Sequence, residues 1–111
     1  MTSFTEAHQA RNVTYTLDNA DPFLPAYSQA FTPRRVVLHI RRTAGQPWAI
    51  DSMTAYGPRL LKSGADGKEE RSAQLCTWDV LNGRPSVVVS PDAPQWAHDI
   101  ADHTLREASR A

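Results

Sequence analysis

Residues 34–43 read RRVVLHIRRT. Between two arginine pairs stand Val36, Val37, Leu38, His39 and Ile40, a short run that is apolar except for one histidine and rich in β-branched side chains. Such side chains crowd the preceding turn of a helix but fit a pleated backbone, so the run predicts a strand. A near-continuous apolar run further predicts that this strand is largely covered on both faces, as the centre of a sheet would be. The rest of the fold is read outward from it.

Upstream, NVTYTLD (12–18) alternates Val13, Tyr15 and Leu17 with polar residues, the period of a strand with one buried face. Residues 1–10 show no periodicity and read as a mobile arm ahead of a single domain at 11–111. Between the two strands, NADPFLPAYSQAFTP (19–33) has prolines at 22, 25 and 33, which lack the ladder donor. Phe23, Tyr27 and Phe31 are spaced for a short helix capped by Asp21 with Pro22 at its first position, while Pro25 favours an ordered loop instead.

Downstream, Gly45-Gln46-Pro47 marks a turn, and WAIDSMTAY (48–56) places Trp48, Ile50, Ser52, Thr54 and Tyr56 on one face of a strand. Gly57-Pro58 interrupts it, and RLLKS (59–63) resumes it beyond a bulge. GADGKEE (64–70) reads as a hairpin tip around Asp66-Gly67, with RSAQLCTWDVL (71–81) as the return strand. Asn82-Gly83 signals a second tight turn, and PSVVVS (85–90) closes the sheet. The C-terminal segment is helical: Asp92 and Gln95 have capping-box spacing, and Trp96, Ala97, Ile100, Ala101, Thr104, Leu105 and Ala108 share one side. The fold class is therefore α+β, a curled antiparallel sheet of four to five strands with a C-terminal amphipathic helix packed on one face.

At 111 residues, 41% hydrophobic and 22% charged, the chain suits one domain with one core. The lone Cys76 excludes an internal disulfide or a cysteine cluster, and in AQLCTW it reads as a buried structural thiol. No run approaches a membrane span, and MTSFTEAHQARN lacks the apolar core of a signal peptide, so the reading is a cytoplasmic protein without a membrane partner. The net charge is zero, but it is unevenly spread. Residues 34–62 carry Arg34, Arg35, Arg41, Arg42, Arg59 and Lys62 against Asp51 alone, whereas residues 63–111 hold five basic and eight acidic residues.

Most chemistry can be set aside on spacing. WAHDIADHTL (96–105) offers His98, Asp99, Asp102 and His103, with each His-Asp pair four residues apart on a helix. Two ligands fall short of the three that a catalytic zinc normally takes from protein, and the remaining histidines, His8 and His39, lie in the arm and in an apolar strand. The His-Asp dipeptide resembles the metal-dependent phosphohydrolases of the HD superfamily, but those are all-helical. The quartet therefore reads as a solvated face, with Asp99 and Asp102, like Asp79, as counter-charges to the arginines. Cys76 has no helix-terminal or nucleophile-elbow setting, and Ser52, Ser63, Ser72, Ser86 and Ser90 lack a G-x-S-x-G context. SGADGKEE (63–70) lacks P-loop spacing and runs into Glu69 and Glu70, which repel phosphate. The expectation is no enzymatic activity, no cofactor and no metal.

The binding residues singled out are Arg34, Arg35, Arg41, Arg42, Arg59, Lys62 and Tyr56. They frame one strand and its neighbour, where Trp48 or Tyr56 would supply a stacking ring. A neutral domain lacks the basic footprint of most nucleic-acid binders, so a host or self protein partner is the first expectation and nucleic acid the alternative. An open sheet edge would also give a route to a homodimer.

TAYGPRLLKSG (54–64), followed by SPDAPQWAHDIADH (90–103), resembles a pattern in short uncharacterised proteins of high-GC actinobacteria and their phages. In that pattern a Tyr-Gly-x-Arg-x-Leu-Lys-x-Gly hairpin precedes a helix opened by an acidic residue, a proline and a tryptophan. The resemblance covers about residues 48–105. It implies no activity, but it implies an accessory or mobile-element setting, where a small regulatory protein acts by binding a host component.

Overall fold

The computed structural model of the chain describes residues 8–23 and 30–110. Six strands and one helix follow in order: β1 (His8–Thr16), β2 (Arg35–Thr43), β3 (Ala49–Leu60), β4 (Asp66–Gln74), β5 (Cys76–Leu81), β6 (Arg84–Val89) and α1 (Gln95–Arg110). Strands β1 to β4 form an antiparallel sheet in sequence order, and β5 and β6 form a separate two-stranded ribbon. The class is α+β, and the sheet is not closed. Among the described residues no helix is long and apolar enough to cross a membrane.

The opening stretch does lie inside the sheet, paired with β1 through Val13↔Leu38 and with β3 through Leu38↔Met53. It is covered on one face only. Val36, Leu38 and Ile40 are buried, while Arg35, His39 and Arg41 are exposed and Val37 is half-buried. Helix α1 packs on the side of Leu38, and the opposite face is left to water, which an antiparallel sheet tolerates when that face is polar. Asn12, Thr14, Thr16, Ser52, Thr54 and Ser72 make it so, set by register beside His39, Val37 and Arg35 or, for Ser72, beside Tyr56.

Helix α1 reaches the sheet through small residues. Ala97, Ala101, Thr104 and Ala108 are its buried positions, whereas Trp96, Ile100 and Leu105 flank the seam half-buried. A row of one-carbon and two-carbon side chains lets the helix backbone lie close over Val36, Leu38, Met53 and Ala55. Thr104 Oγ1 satisfies itself by donating to the Ile100 carbonyl (2.7 Å), and it shares a 2.7 Å hydrogen bond with the Tyr15 hydroxyl.

Several local expectations change. Strand β1 begins at His8, within the segment read as an arm; residues 1–7 lie outside the described residues. Phe23 and Phe31 exchange backbone hydrogen bonds (2.7 and 3.1 Å) and pack edge to face, while Tyr27 and the rest of 24–29 lie outside the described residues. Strand β3 runs through Gly57-Pro58 without a break, with the ladder irregularity falling between Pro58 and Leu60. A second irregularity at His39/Ile40 divides the face expected for 48–56: Trp48 and Ile50 join the core side with Met53 and Ala55, and Ser52, Thr54 and Tyr56 point the other way.

The first hairpin turns earlier than expected. Leu61 N–H bonds the Ala65 carbonyl (2.9 Å) and Gly64 supplies the left-handed φ of 87°, so Asp66 and Gly67 already belong to β4. The return strand breaks at Leu75. That residue is buried, donates its N–H to the Met53 carbonyl (2.8 Å) and accepts from Ser90 N–H (2.8 Å), so it pins the chain where β5 leaves the line of β4. The capping box does not form: α1 starts at Gln95, whose amide turns to the Asp99 carboxylate (3.0 Å).

Candidate functional site

Period-2 alternation along β2 sends Arg35 and Arg41 to the open face and Arg42 to the helix side, so the four arginines do not form one surface. Three of them meet carboxylates: Arg34 with Asp66 (2.8 Å), Arg35 with Glu70 (3.4 Å) and Arg41 with Asp51 (3.5 Å). These pairs are solvent-exposed, so each is worth less than about 1 kcal/mol, but they balance the charge of the patch. The counter-charges are not Asp79, Asp99 and Asp102. Asp79 accepts from Val80 N–H (2.7 Å), Asp99 takes Gln95, and Asp102 has no ion pair among the described residues.

The two rings expected to stack are occupied. Arg35 lies over Tyr56 with its guanidinium carbon 4.6 Å from the ring centre, and Arg11 and Arg42 lie over Trp48 at 4.7 and 5.1 Å. Trp48 is only 5% exposed, so it offers no platform to a base. Arg59 is half-buried at a bridge to Phe31, and Lys62 is exposed in the first hairpin turn. What the patch contains is a 310 Å³ depression where Arg34, Arg35 and Lys68 face Glu69 and Glu70 beside Tyr56.

The helix quartet also separates. His103 sits edge-on to Tyr15, with ring centres 6.3 Å apart, whereas His98 and Asp102 line a groove on another side. Among the described residues no group of three or more His, Cys, Asp and Glu side chains could hold a metal ion. Cys76 lies half-buried at the base of the ribbon, and burial pushes its thiol up to about 11, which keeps it protonated and unreactive near neutrality.

The feature that pattern-reading missed is the ribbon itself. Trp78 is 69% exposed, Val80 65% and Leu81 48%, whereas β2 and β3 place Val36, Leu38, Ile40 and Met53 in the core. The pairs Cys76↔Val89, Trp78↔Val87 and Val80↔Pro85 make one ribbon face wholly apolar. Its first rung packs on the core, and beyond it Trp78, Val80 and Pro85 are exposed while Val87 stays half-buried. Next to the ribbon is a groove of 460 Å³, bounded by Ala101, Asp102 and Leu105 of α1, by Trp48 and the start of β3, and by residues 86–89 of β6. No local signal marks it, since Cys76-Thr77-Trp78-Asp79-Val80 alternates as a strand with one buried face would.

Comparisons with known proteins give no match, whether to a protein-family model, to a curated protein or to a solved structure.

Proposed function

We propose that this protein is a small protein-binding module, regulatory rather than catalytic, whose partner docks on the β5–β6 ribbon. The observation that carries the reading is the apolar overhang of Trp78 and Val80 with Leu81 beside it. Side chains of this kind, clustered and rimmed by polar residues, mark interaction sites far more often than scattered surface hydrophobics do. A large exposed tryptophan is also the residue type most enriched at the energetic centres of interfaces. The expected surface therefore moves from the arginine-framed strand to the ribbon. An accessory role in a phage or actinobacterial cytoplasm, acting on a host component, fits this reading and the resemblance of the hairpin and helix segments.

The nucleic-acid alternative has less behind it. Phosphate contact needs unneutralised cations and base stacking needs free rings, whereas Arg34, Arg35 and Arg41 face carboxylates and both candidate rings lie under guanidinium groups. The test compares Trp78→Ser/Val80→Ser with the wild-type protein in affinity capture from a high-GC actinobacterial lysate, with mass-spectrometric identification. A protein captured by the wild type and lost with the variant is expected. Identical capture by both would refute docking on the ribbon. A salt-sensitive fluorescence-polarisation signal with labelled DNA, abolished by Arg41→Ala/Arg42→Ala, would move the function to the alternative.

A further inference from the structure

The groove between α1, β3 and β6 is bordered by two unpaired strand edges. On β3, residues 49–52 pair with β2 on one side, but β4 joins only at Thr54 and Leu75 bonds Met53, so nothing among the described residues takes the other side of 49–52. On the far wall, β6 pairs with β5 alone. Consecutive residues from both strands line the groove, Ala49 and Ile50 on one side and 86–89 on the other, as strands presenting their edges would.

The hydrogen-bonding groups of β6 are oriented for this. Asn82 and Gly83, with φ of 53° and 75°, close a two-residue turn, so Leu81 and Arg84 are the hydrogen-bonded pair that flanks it. Alternation along the ladder then turns the N–H and C=O groups of Val87 and Val89 away from β5. The bond from Ser90 N–H to the Leu75 carbonyl follows the same alternation. The opposite edge of the ribbon is guarded: the same alternation turns Val80 N–H outward on β5, and the Asp79 carboxylate covers it at 2.7 Å. On β6, Pro85 brings no donor to the tip. The open stretch is therefore at Val87 and Val89, against the helix.

We propose that this groove takes an extended peptide of the protein partner, which adds as a strand to the free edge of β6 beneath α1. The proposal rests on the protein-binding reading and specifies the form in which the partner enters. The added strand extends the two-stranded ribbon to three strands. Its alternate side chains are apolar, because Ile50, Leu105, Val87 and Val89 line the site. One end is basic, because the Asp102 carboxylate at the groove has no ion pair among the described residues and is the only acidic side chain among the described lining residues. The volume lies within the ~300–1,000 Å³ usual for ligand sites, and main-chain bonds supply affinity while alternate pockets supply selectivity.

The test selects short random peptides displayed on phage against the full chain, then titrates one enriched synthetic peptide into the ¹⁵N-labelled protein. Enrichment of alternating apolar residues with a lysine or arginine is expected. So is slowed amide hydrogen exchange at Val87 and Val89 on binding. Methylating the peptide nitrogens that face β6 should weaken binding at least about tenfold, because each removes a ladder donor. Failure to enrich any peptide, helical spacing in those enriched, or binding that survives N-methylation would each overturn strand addition. If any of these occurs while Trp78-dependent capture of a partner succeeds, strand addition falls and ribbon docking stands. Loss of that capture with peptide addition intact would refute only docking on the exposed face.

Discussion

Gly57→Ala should be among the most damaging single-methyl additions to this chain. Gly57 lies in β3 beneath the segment that enters β2, and a Cβ on it would stand 1.8 Å from the Thr32 carbonyl oxygen, 2.7 Å from the Thr32 carbonyl carbon and 3.1 Å from Pro33 Cα. All three are backbone atoms, so no rotamer change gives relief. To reach ordinary van der Waals separation the chain at Thr32 must lift by about 1.5 Å. That displacement breaks the bonds from Thr32 N–H to the Pro58 carbonyl (3.0 Å) and from Arg34 N–H to the Tyr56 carbonyl (2.8 Å). Each is worth about 1 kcal/mol net. It also lifts Phe31 and Pro33, both fully buried, which adds about 1–3 kcal/mol of lost packing. The expected destabilisation is about 3–5 kcal/mol, a large part of the ~5–15 kcal/mol that holds a domain of this size together. Thermal unfolding followed by circular dichroism should show Tm lowered by roughly 10 °C or more. Gly45→Ala is the control, since a Cβ there meets nothing within 4 Å and only its φ of 80° resists, so about 1 kcal/mol is expected. A Gly57→Ala protein that melts within a few degrees of wild type, or no worse than the control, would refute the close approach of Thr32 to β3.

Leu38→Ala removes a fully buried side chain from the middle of β2 and should cost about 2–5 kcal/mol in urea unfolding, whereas Val37→Ala, half-buried on the open face, should cost markedly less. Thr104→Val keeps the shape of the helix seam but removes the partner of the Tyr15 hydroxyl, so about 1–2 kcal/mol should be lost, and Tyr15→Phe in the same background should add little more because the two changes share one hydrogen bond. Cys76 should alkylate half-maximally near pH 11, read from iodoacetamide rates against pH. Because its folded thiol holds a proton that the unfolded chain gives up near pH 9, stability should fall as pH rises from about 9 to 11, and Cys76→Ala should flatten that fall. Arg34→Ala breaks an exposed ion pair with Asp66 and should change stability by less than about 1 kcal/mol, with the difference shrinking further in high salt.

Local pattern was sufficient wherever one element decides its own conformation. Alternation at Val13, Tyr15 and Leu17 marked β1, the branched run at 36–40 marked β2, Asn82-Gly83 marked the ribbon turn, and helical spacing from Trp96 to Ala108 marked α1. Those signals together also gave the α+β class with its terminal helix. Turn chemistry misled where two candidates competed: Asp66-Gly67 looks like a hairpin tip, yet Gly64 makes the turn because the ladder to β3 extends as far as Asp66.

What no local pattern held was which surfaces remain uncovered. An apolar run cannot report whether one layer or two will pack on it, and β2 has a polar, solvated far face because α1, the one helix among the described residues, covers only the other face. Arginines adjacent in sequence part by side-chain alternation, and their neutralisation by Asp66, Glu70 and Asp51 depends on cross-strand register, a non-local property. Trp78 and Val80 have the same sequence character as the core residues. They are exposed only because Leu75 is tied to both Met53 and Ser90, which sends the ribbon away from the sheet and leaves the edges of β3 and β6 open beneath α1. The sequence by itself determined the class and most of the elements, but not the division of 71–81 between β4 and β5. Tertiary structure alone decided the site, because a site depends on what the rest of the chain fails to cover.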